Sequence, residues 1–303
     1  MLAPFCLLDR DGQPVGPVRD GDGFIFWNFR GDRALQLTRA FERGAEFSGF
    51  DRGRVPEVRF AGMMQYDGDE CLPGRFLVDP PVIERTMGEY AVALGLRTLA
   101  TSETQKFGHV TYFWNGNRSG RLDDQLERYV EIPSGRHPFD QMPAMQAREI
   151  TDVVQAALAE SAVPDIIRIN YANGDMVGHT GNLRATIAAV EAVDAEIGRL
   201  MALVQRCHGT LVVTADHGNA DDMWLRHSDG TPRQGVDGPR ARTSHTLAPV
   251  PFSVFDARPG ASWRLREDLP EAGLGHIAAT CLELLGYRPP EEMAPSLLDW
   301  PGR

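Results

Sequence analysis

No stretch of this sequence approaches the ~20 consecutive apolar residues of a bilayer-spanning helix, so no transmembrane helix and no membrane partner are expected. Cysteine is scarce. Cys6, Cys71, Cys207 and Cys281 form no Cys-x-x-Cys pair and fit no zinc spacing, which excludes a cysteine metal knot. They read as reduced, buried or incidental thiols of a cytosolic protein. Positive charge is also in deficit: 31 Lys and Arg against 42 Asp and Glu leave a net charge of -11. A phosphate backbone needs a basic surface, so nucleic acid is excluded as a partner. An anionic substrate would have to be drawn in by local cations against the overall field. The N-terminal run Met1-Leu2-Ala3-Pro4-Phe5-Cys6-Leu7-Leu8 lacks a basic leader, so it reads as a short strand and the expected location is cytoplasmic. Internal repeats and low-complexity tracts are missing too.

What is present suits a soluble globular chain. Its 303 residues, 42% hydrophobic and 24% charged, can bury one large core or two smaller ones. Phe24-Ile25-Phe26-Trp27-Asn28-Phe29 reads as a buried strand behind the turn Asp20-Gly21-Asp22-Gly23. A helix is expected over 34–43, and strands over 58–66 and 76–78. Asp79-Pro80-Pro81 breaks the pattern, and a domain boundary is placed there. Beyond it, helix and strand alternate. Helices are expected over 84–96, 151–158 and 276–285, and strands over 97–100, 109–114, 165–171, 211–214 and 251–255. From Asn182, the residues Leu183, Ile187, Val190, Ile197, Met201 and Val204 predict one apolar helix face, ended by Gly209. Alternation of this kind predicts a doubly wound α/β sheet.

Three segments carry metal-ligating side chains. Asp175 and His179 stand four apart, which on a helical turn puts both on one face. Asp216 and His217 follow the strand over 211–214, and ligands of open α/β sheets gather at such strand ends. His245 sits in the polar loop Arg242-Thr243-Ser244-His245-Thr246. One Asp-x-x-x-His alone is common surface decoration; three segments at strand ends are harder to dismiss. His137, His208 and His227 lie beside charged or turn residues and read as solvated, and His276 as capping or packing a helix. Mixed Asp/His ligation suits Mn²⁺, Zn²⁺ or a similar borderline ion. Five such ligands overfill one tetrahedral site and underfill two, and paired metals are a device of phosphoryl transfer.

A cationic group complements them. Arg30 and Arg33 flank a strand-to-helix turn, and the Arg fork suits bidentate phosphate or carboxylate recognition. Lys106 is a point charge in the polar loop Ser102-Glu103-Thr104-Gln105-Lys106.

Four blocks then carry a resemblance. They are Phe26-Trp27-Asn28-Phe29-Arg30-Gly31-Asp32-Arg33, Glu103-Thr104-Gln105-Lys106-Phe107-Gly108-His109-Val110, Asn170-Tyr171-Ala172-Asn173-Gly174-Asp175-Met176-Val177-Gly178-His179, and Thr214-Ala215-Asp216-His217-Gly218-Asn219. In this order they make the chain resemble the 2,3-bisphosphoglycerate-independent phosphoglycerate mutases, within the alkaline phosphatase superfamily. The resemblance is to the C-terminal portion of the longer family members. It implies an alkaline-phosphatase-like α/β sheet with helices on both faces. Residues 1–79 would then be the end of a substrate-binding α/β domain, and 80–303 a metal-binding domain without its first strand and nucleophile.

It further implies two divalent ions, manganese favoured. Asp175, His179 and His245 would hold one; Asp216 and His217 would hold the other together with an aspartate and a serine that have no match here. Arg30, Arg33 and Lys106 would bind 3-phosphoglycerate or 2-phosphoglycerate, with Lys106 also neutralising charge at the transferring group. The reaction runs through a phosphoserine, and neither Ser102 nor Ser244 resembles that nucleophile. The chain alone is therefore expected to be inactive, and to self-associate or need a missing N-terminal part, whereas the full-length family is mostly monomeric. A non-catalytic metal-binding remnant and a related metal-dependent phosphatase or phosphomutase are the alternatives.

Overall fold

The computed structural model describes residues 5–29, 34–67, 71–79, 81, 83–118, 120–236, 238–269 and 271–301. Two compact units emerge, one of Met1–Glu84 with Asn115–Gly120, the other of Arg85–Trp114 with Arg121–Arg303.

In the first unit, β1 (Gly23–Phe26), β2 (Arg59–Met64) and β3 (Phe76–Val78) form a parallel sheet in the order β1-β2-β3, with helix α1 (Ala34–Glu42) between β1 and β2. Aromatic packing holds α1 to the sheet. The rings of Phe24 and Phe41 lie 4.7 Å apart, and Phe41 stacks on Phe60 at 5.2 Å. The strand expected at the N-terminus is not seen in its described part: Leu8 and Pro14 make an isolated bridge across a turn.

The second unit runs α2 (Met87–Ala93), β4 (Thr98–Glu103), α3 (Phe107–Val110), β5 (Glu127–Ile132), α4 (Ala147–Leu158), β6 (Ile166–Asn170), α5 (Asn173–Gly178), α6 (Leu183–Cys207), β7 (Thr210–Thr214), β8 (Gln234–Gly235), β9 (Gly238–Pro239), β10 (Phe252–Asp256), β11 (Arg264–Leu265), α7 (Ile277–Leu284) and β12 (Leu298–Asp299). Strands β5, β4 and β6 form a parallel trio with β4 central and buried at every residue, as parallel sheets require. β7 pairs antiparallel with β10, from Thr210↔Asp256 to Thr214↔Phe252. Val154, Leu200 and Leu203 nucleate a core onto which Ile167 and Ile169 of β6 and Leu211 of β7 pack. Thr86 and Glu89 close a capping box at the start of α2. Among the described residues, no helix is long and apolar enough to cross a membrane.

Four further expectations are corrected, the first being that Phe24 to Phe29 is a buried strand: the strand stops at Phe26, and Ile25, Trp27 and Phe29 are exposed. Residues 109–114 are no strand: their β-branched and aromatic composition misleads, because the segment closes α3 and then turns. Buried Arg168 holds it there, donating from Nε to the Val110 carbonyl at 2.7 Å and from Nη2 to Glu127 at 3.2 Å. The buried face of α6 is also not the predicted one. Ala185, Thr186, Ala189, Leu200 and Leu203 face inward, while Leu183, Ile187, Val190 and Met201 are exposed. Small side chains win because Ala185 and Ala189 pack directly on Val177 of α5. Finally, α6 ends on His208 in the left-handed conformation at φ 52°, one residue before Gly209.

Candidate metal centre

The site is assembled where β6 and β7 end. After β6 the chain turns at once into α5, a six-residue helix with Asp175 in its first turn and His179 just past its end. The His179 amide donates to the Asp175 carbonyl at 2.9 Å, so one helical turn sets the two side chains side by side. His179 Nε2 lies 3.0 Å from Asp175 Oδ1. After β7, Gly218 bridges Thr246, whose amide donates to the Gly218 carbonyl at 2.9 Å. That bridge lays His217 alongside His245, and their rings stack at 3.6 Å with 18° between the planes.

All three segments therefore meet at Asp175. His245 Nε2 is 3.0 Å from Asp175 Oδ1 and 3.2 Å from His179 Nε2. Asp175, His217 and His245 also offer ligand atoms within 4.8 Å of one another, so two triads share Asp175 and His245. Asp216 stands at the rim, exposed, with Oδ2 3.5 Å from His217 Nε2. Lys106, at the start of α3, pairs with the other carboxylate oxygen, Asp175 Oδ2, at 2.6 Å. Only 9% of its side chain is exposed. Arg30 and Arg33 lie outside the described residues.

Neighbouring groups tune these side chains. His179 Nδ1 is 2.7 Å from the Thr243 carbonyl. A carbonyl only accepts, so Nδ1 donates to it, and Nε2 is the ring nitrogen turned toward Asp175 and the site. Burial opposes ionisation of Asp175, but Lys106, Asn219 and His179 outweigh it and hold the carboxyl down at about 2. Burial and then the facing His217 push the His245 imidazole below its ordinary value, with Asp175 opposing. The centre thus presents an ionised carboxylate and an imidazole biased toward its neutral form, the protonation states a metal needs.

The donor set fits a cation by size as well. With metal–ligand bonds of about 2.1 Å, two ligands of a tetrahedron stand about 3.4 Å apart. The separations among Asp175 Oδ1, His179 Nε2 and His245 Nε2, at 3.0, 3.0 and 3.2 Å, are close to that.

Two residues given no role from sequence matter here. Asn219, in the run Asp216-His217-Gly218-Asn219, donates to Asp175 Oδ1 at 2.7 Å. The Thr243 carbonyl orients His179, and a backbone group leaves no residue-type signal. Ser102 is buried and donates to the Asn170 carbonyl at 2.9 Å, whereas Ser244 is exposed. His276 Nδ1 lies 2.7 Å from the Pro295 carbonyl, at the start of α7.

A family model described as Metalloenzyme superfamily matches residues 27–289. The chain is 50% identical over 297 residues to a 2,3-bisphosphoglycerate-independent phosphoglycerate mutase of Trypanosoma brucei brucei, covering 98% of this chain and 54% of that protein. It is 49% identical over 296 residues to a probable mutase of the same name from Leptospira interrogans, covering 97% of this chain and 53% of the relative. Among solved structures it matches Leishmania mexicana phosphoglycerate mutase, studied at low cobalt concentration, with a TM-score of 0.93 and 49% identity over 97% of this chain and 53% of that one. The chain spans about half the length of the curated relatives it matches.

Proposed function

The chain belongs to the metalloenzyme superfamily, and from that membership we propose that it carries the metal-holding part of a 2,3-bisphosphoglycerate-independent phosphoglycerate mutase. The reaction proposed is the interconversion of 3-phosphoglycerate and 2-phosphoglycerate, an isomerisation by phosphoryl transfer in cytoplasmic glycolysis and gluconeogenesis. The observation that carries this reading is the convergence of His179, His245 and Lys106 on one carboxylate, Asp175.

Asp175, His179 and His245 would hold one divalent ion, with Mn²⁺ favoured. Asp216 and His217 would contribute to a second, whose ligand set these residues leave incomplete. When bound, such ions supply Lewis-acid stabilisation of phosphoryl oxygens. The chain's own groups do the rest. Asp175 is ionised by its neighbours, so its Oδ1 stays an acceptor at neutral pH. Lys106 has three donors and spends one on Asp175 Oδ2, leaving two for an anionic oxygen. Arg30 and Arg33 would grip the phosphoglycerate through bidentate hydrogen bonds. The phosphoserine step needs a nucleophile, and Ser102 is occupied by the Asn170 carbonyl. The chain alone is therefore expected to be inactive, with the serine supplied from elsewhere.

The test is conversion of 3-phosphoglycerate to 2-phosphoglycerate with Mn²⁺, by this chain alone and mixed with the part of the Trypanosoma brucei brucei relative outside the matched region. Turnover only in the mixture is expected. Robust turnover by the chain alone would contradict the missing-nucleophile argument. Metal uptake with no turnover in either case would favour a non-catalytic metal binder, and release of free phosphate would favour a phosphatase.

A further inference from the structure

Asp175 has two carboxylate oxygens, and they face different chemistry. Oδ2 is held by Lys106 at 2.6 Å, while Oδ1 faces both His179 and His245 at 3.0 Å. Rotation about the last torsion of an aspartate is soft and roughly two-fold, so nothing intrinsic keeps the oxygens in those places. We propose that Asn219 is a positioning residue that locks Asp175 in this orientation, and that Gly178 lacks a side chain in order to admit it. The proposal rests on the metal-site reading above.

Asn219 is only 6% exposed and reaches across from the segment after β7. Its Nδ2 donates twice to the same residue, to Asp175 Oδ1 at 2.7 Å and to the Asp175 carbonyl at 3.2 Å. The two N–H groups of one amide thus clamp the side chain and the backbone of Asp175 together. That carbonyl is also the one that accepts from the His179 amide. The clamp therefore fixes Asp175 directly and the turn bearing His179 through it.

Gly178 supplies independent support. It lies within α5 and has no left-handed backbone, so its conformation does not demand glycine. Space does. A Cβ on Gly178 would fall on Asn219 Oδ1 and lie 2.9 Å from Asn219 Cγ, closer than real Cβ atoms come to anything. Any side chain at 178 displaces the carboxamide, and the donor pair to Asp175 moves with it.

The experiment is Mn²⁺ titration by calorimetry of the metal-free chain and the variants Asn219→Leu, Asn219→Ala, Gly178→Ala and Asn219→Ala/Gly178→Ala. Outer-sphere partners of metal ligands typically contribute about 10–100-fold in affinity. Asn219→Leu nearly keeps the shape and deletes the donor without adding charge, so a loss of about that size is expected, as for Asn219→Ala. Gly178→Ala should lose affinity alone but add almost nothing in the Asn219→Ala background. Affinity within about twofold of wild type in Asn219→Leu would show mere space filling and overturn the role, leaving the metal site standing. A full Gly178→Ala loss in the Asn219→Ala background would equally overturn it. Failure of the wild-type chain to take up Mn²⁺ would remove the metal site and this role together.

Discussion

Asp256 shows on a small scale how this chain places charge. It is nearly buried, yet it accepts from Arg258, from the Trp263 indole at 2.8 Å and from Thr210 at 3.0 Å. Burial opposes its ionisation, but these partners hold the carboxyl far below the ordinary 3.8. Its folded-state value is depressed, so its stabilisation is complete above 3.8 and fades as pH falls below that. Asp256→Asn is expected to cost on the order of 2 kcal/mol at neutral pH, as for hydrogen bonds to a charged group. Urea melts of both proteins should show that difference shrinking as pH drops below 3.8, and a pH-independent difference would contradict the account. The cysteines offer a second check. Expected to be reduced, buried or incidental thiols, the four cysteines are free, with Cys6, Cys71 and Cys207 exposed, whereas burial pushes Cys281 up to about 11. Brief alkylation of the native chain at neutral pH, read by mass spectrometry, should label those three and spare Cys281.

Helix α6 makes the corresponding point for an element. Its apolar residues were legible as helical periodicity, but the face they mark is not the face that packs. Leu183, Ile187 and Val190 stay exposed because Ala185 and Ala189 let α5 approach closely. Hydrophobicity ranks leucine above alanine, and it carries no information on how near two helices must come. Ile187→Gln should therefore change stability by no more than about 0.5 kcal/mol. Ala189→Leu should overpack the contact and cost about 1–3 kcal/mol. Chemical denaturation of both variants decides it; the reverse order would restore the face expected from periodicity. Asp175 and His179 were readable together because a four-residue spacing encodes a helical turn. The approach of His217 and His245 was not, since it depends on the Gly218–Thr246 bridge between segments far apart in sequence. The run over 109–114 misled because strand propensity lost to the Arg168 bond that holds Val110.

At the scale of the molecule, the mixed α/β fold was legible from the alternation of helices and strands, as was the likeness to phosphoglycerate mutases from four motifs. Exposed apolar side chains remain along α6, and among the described residues β6 and β7 each have one partner strand. Such surfaces favour association. Sedimentation velocity across a concentration series should show the weight-average coefficient rising, and a concentration-independent monomer would contradict that. The central claim is that Asp175, His179 and His245, brought together from two segments, take up a divalent cation. Its most direct test is equilibrium Mn²⁺ binding to the chelator-stripped chain and to His245→Ala, in which one shared member of both triads is gone. We expect one tight site in the parent chain and a loss of at least about 100-fold in the variant, beyond what an outer-sphere change brings. Equal affinity in the two proteins, or none in the parent, would contradict the account.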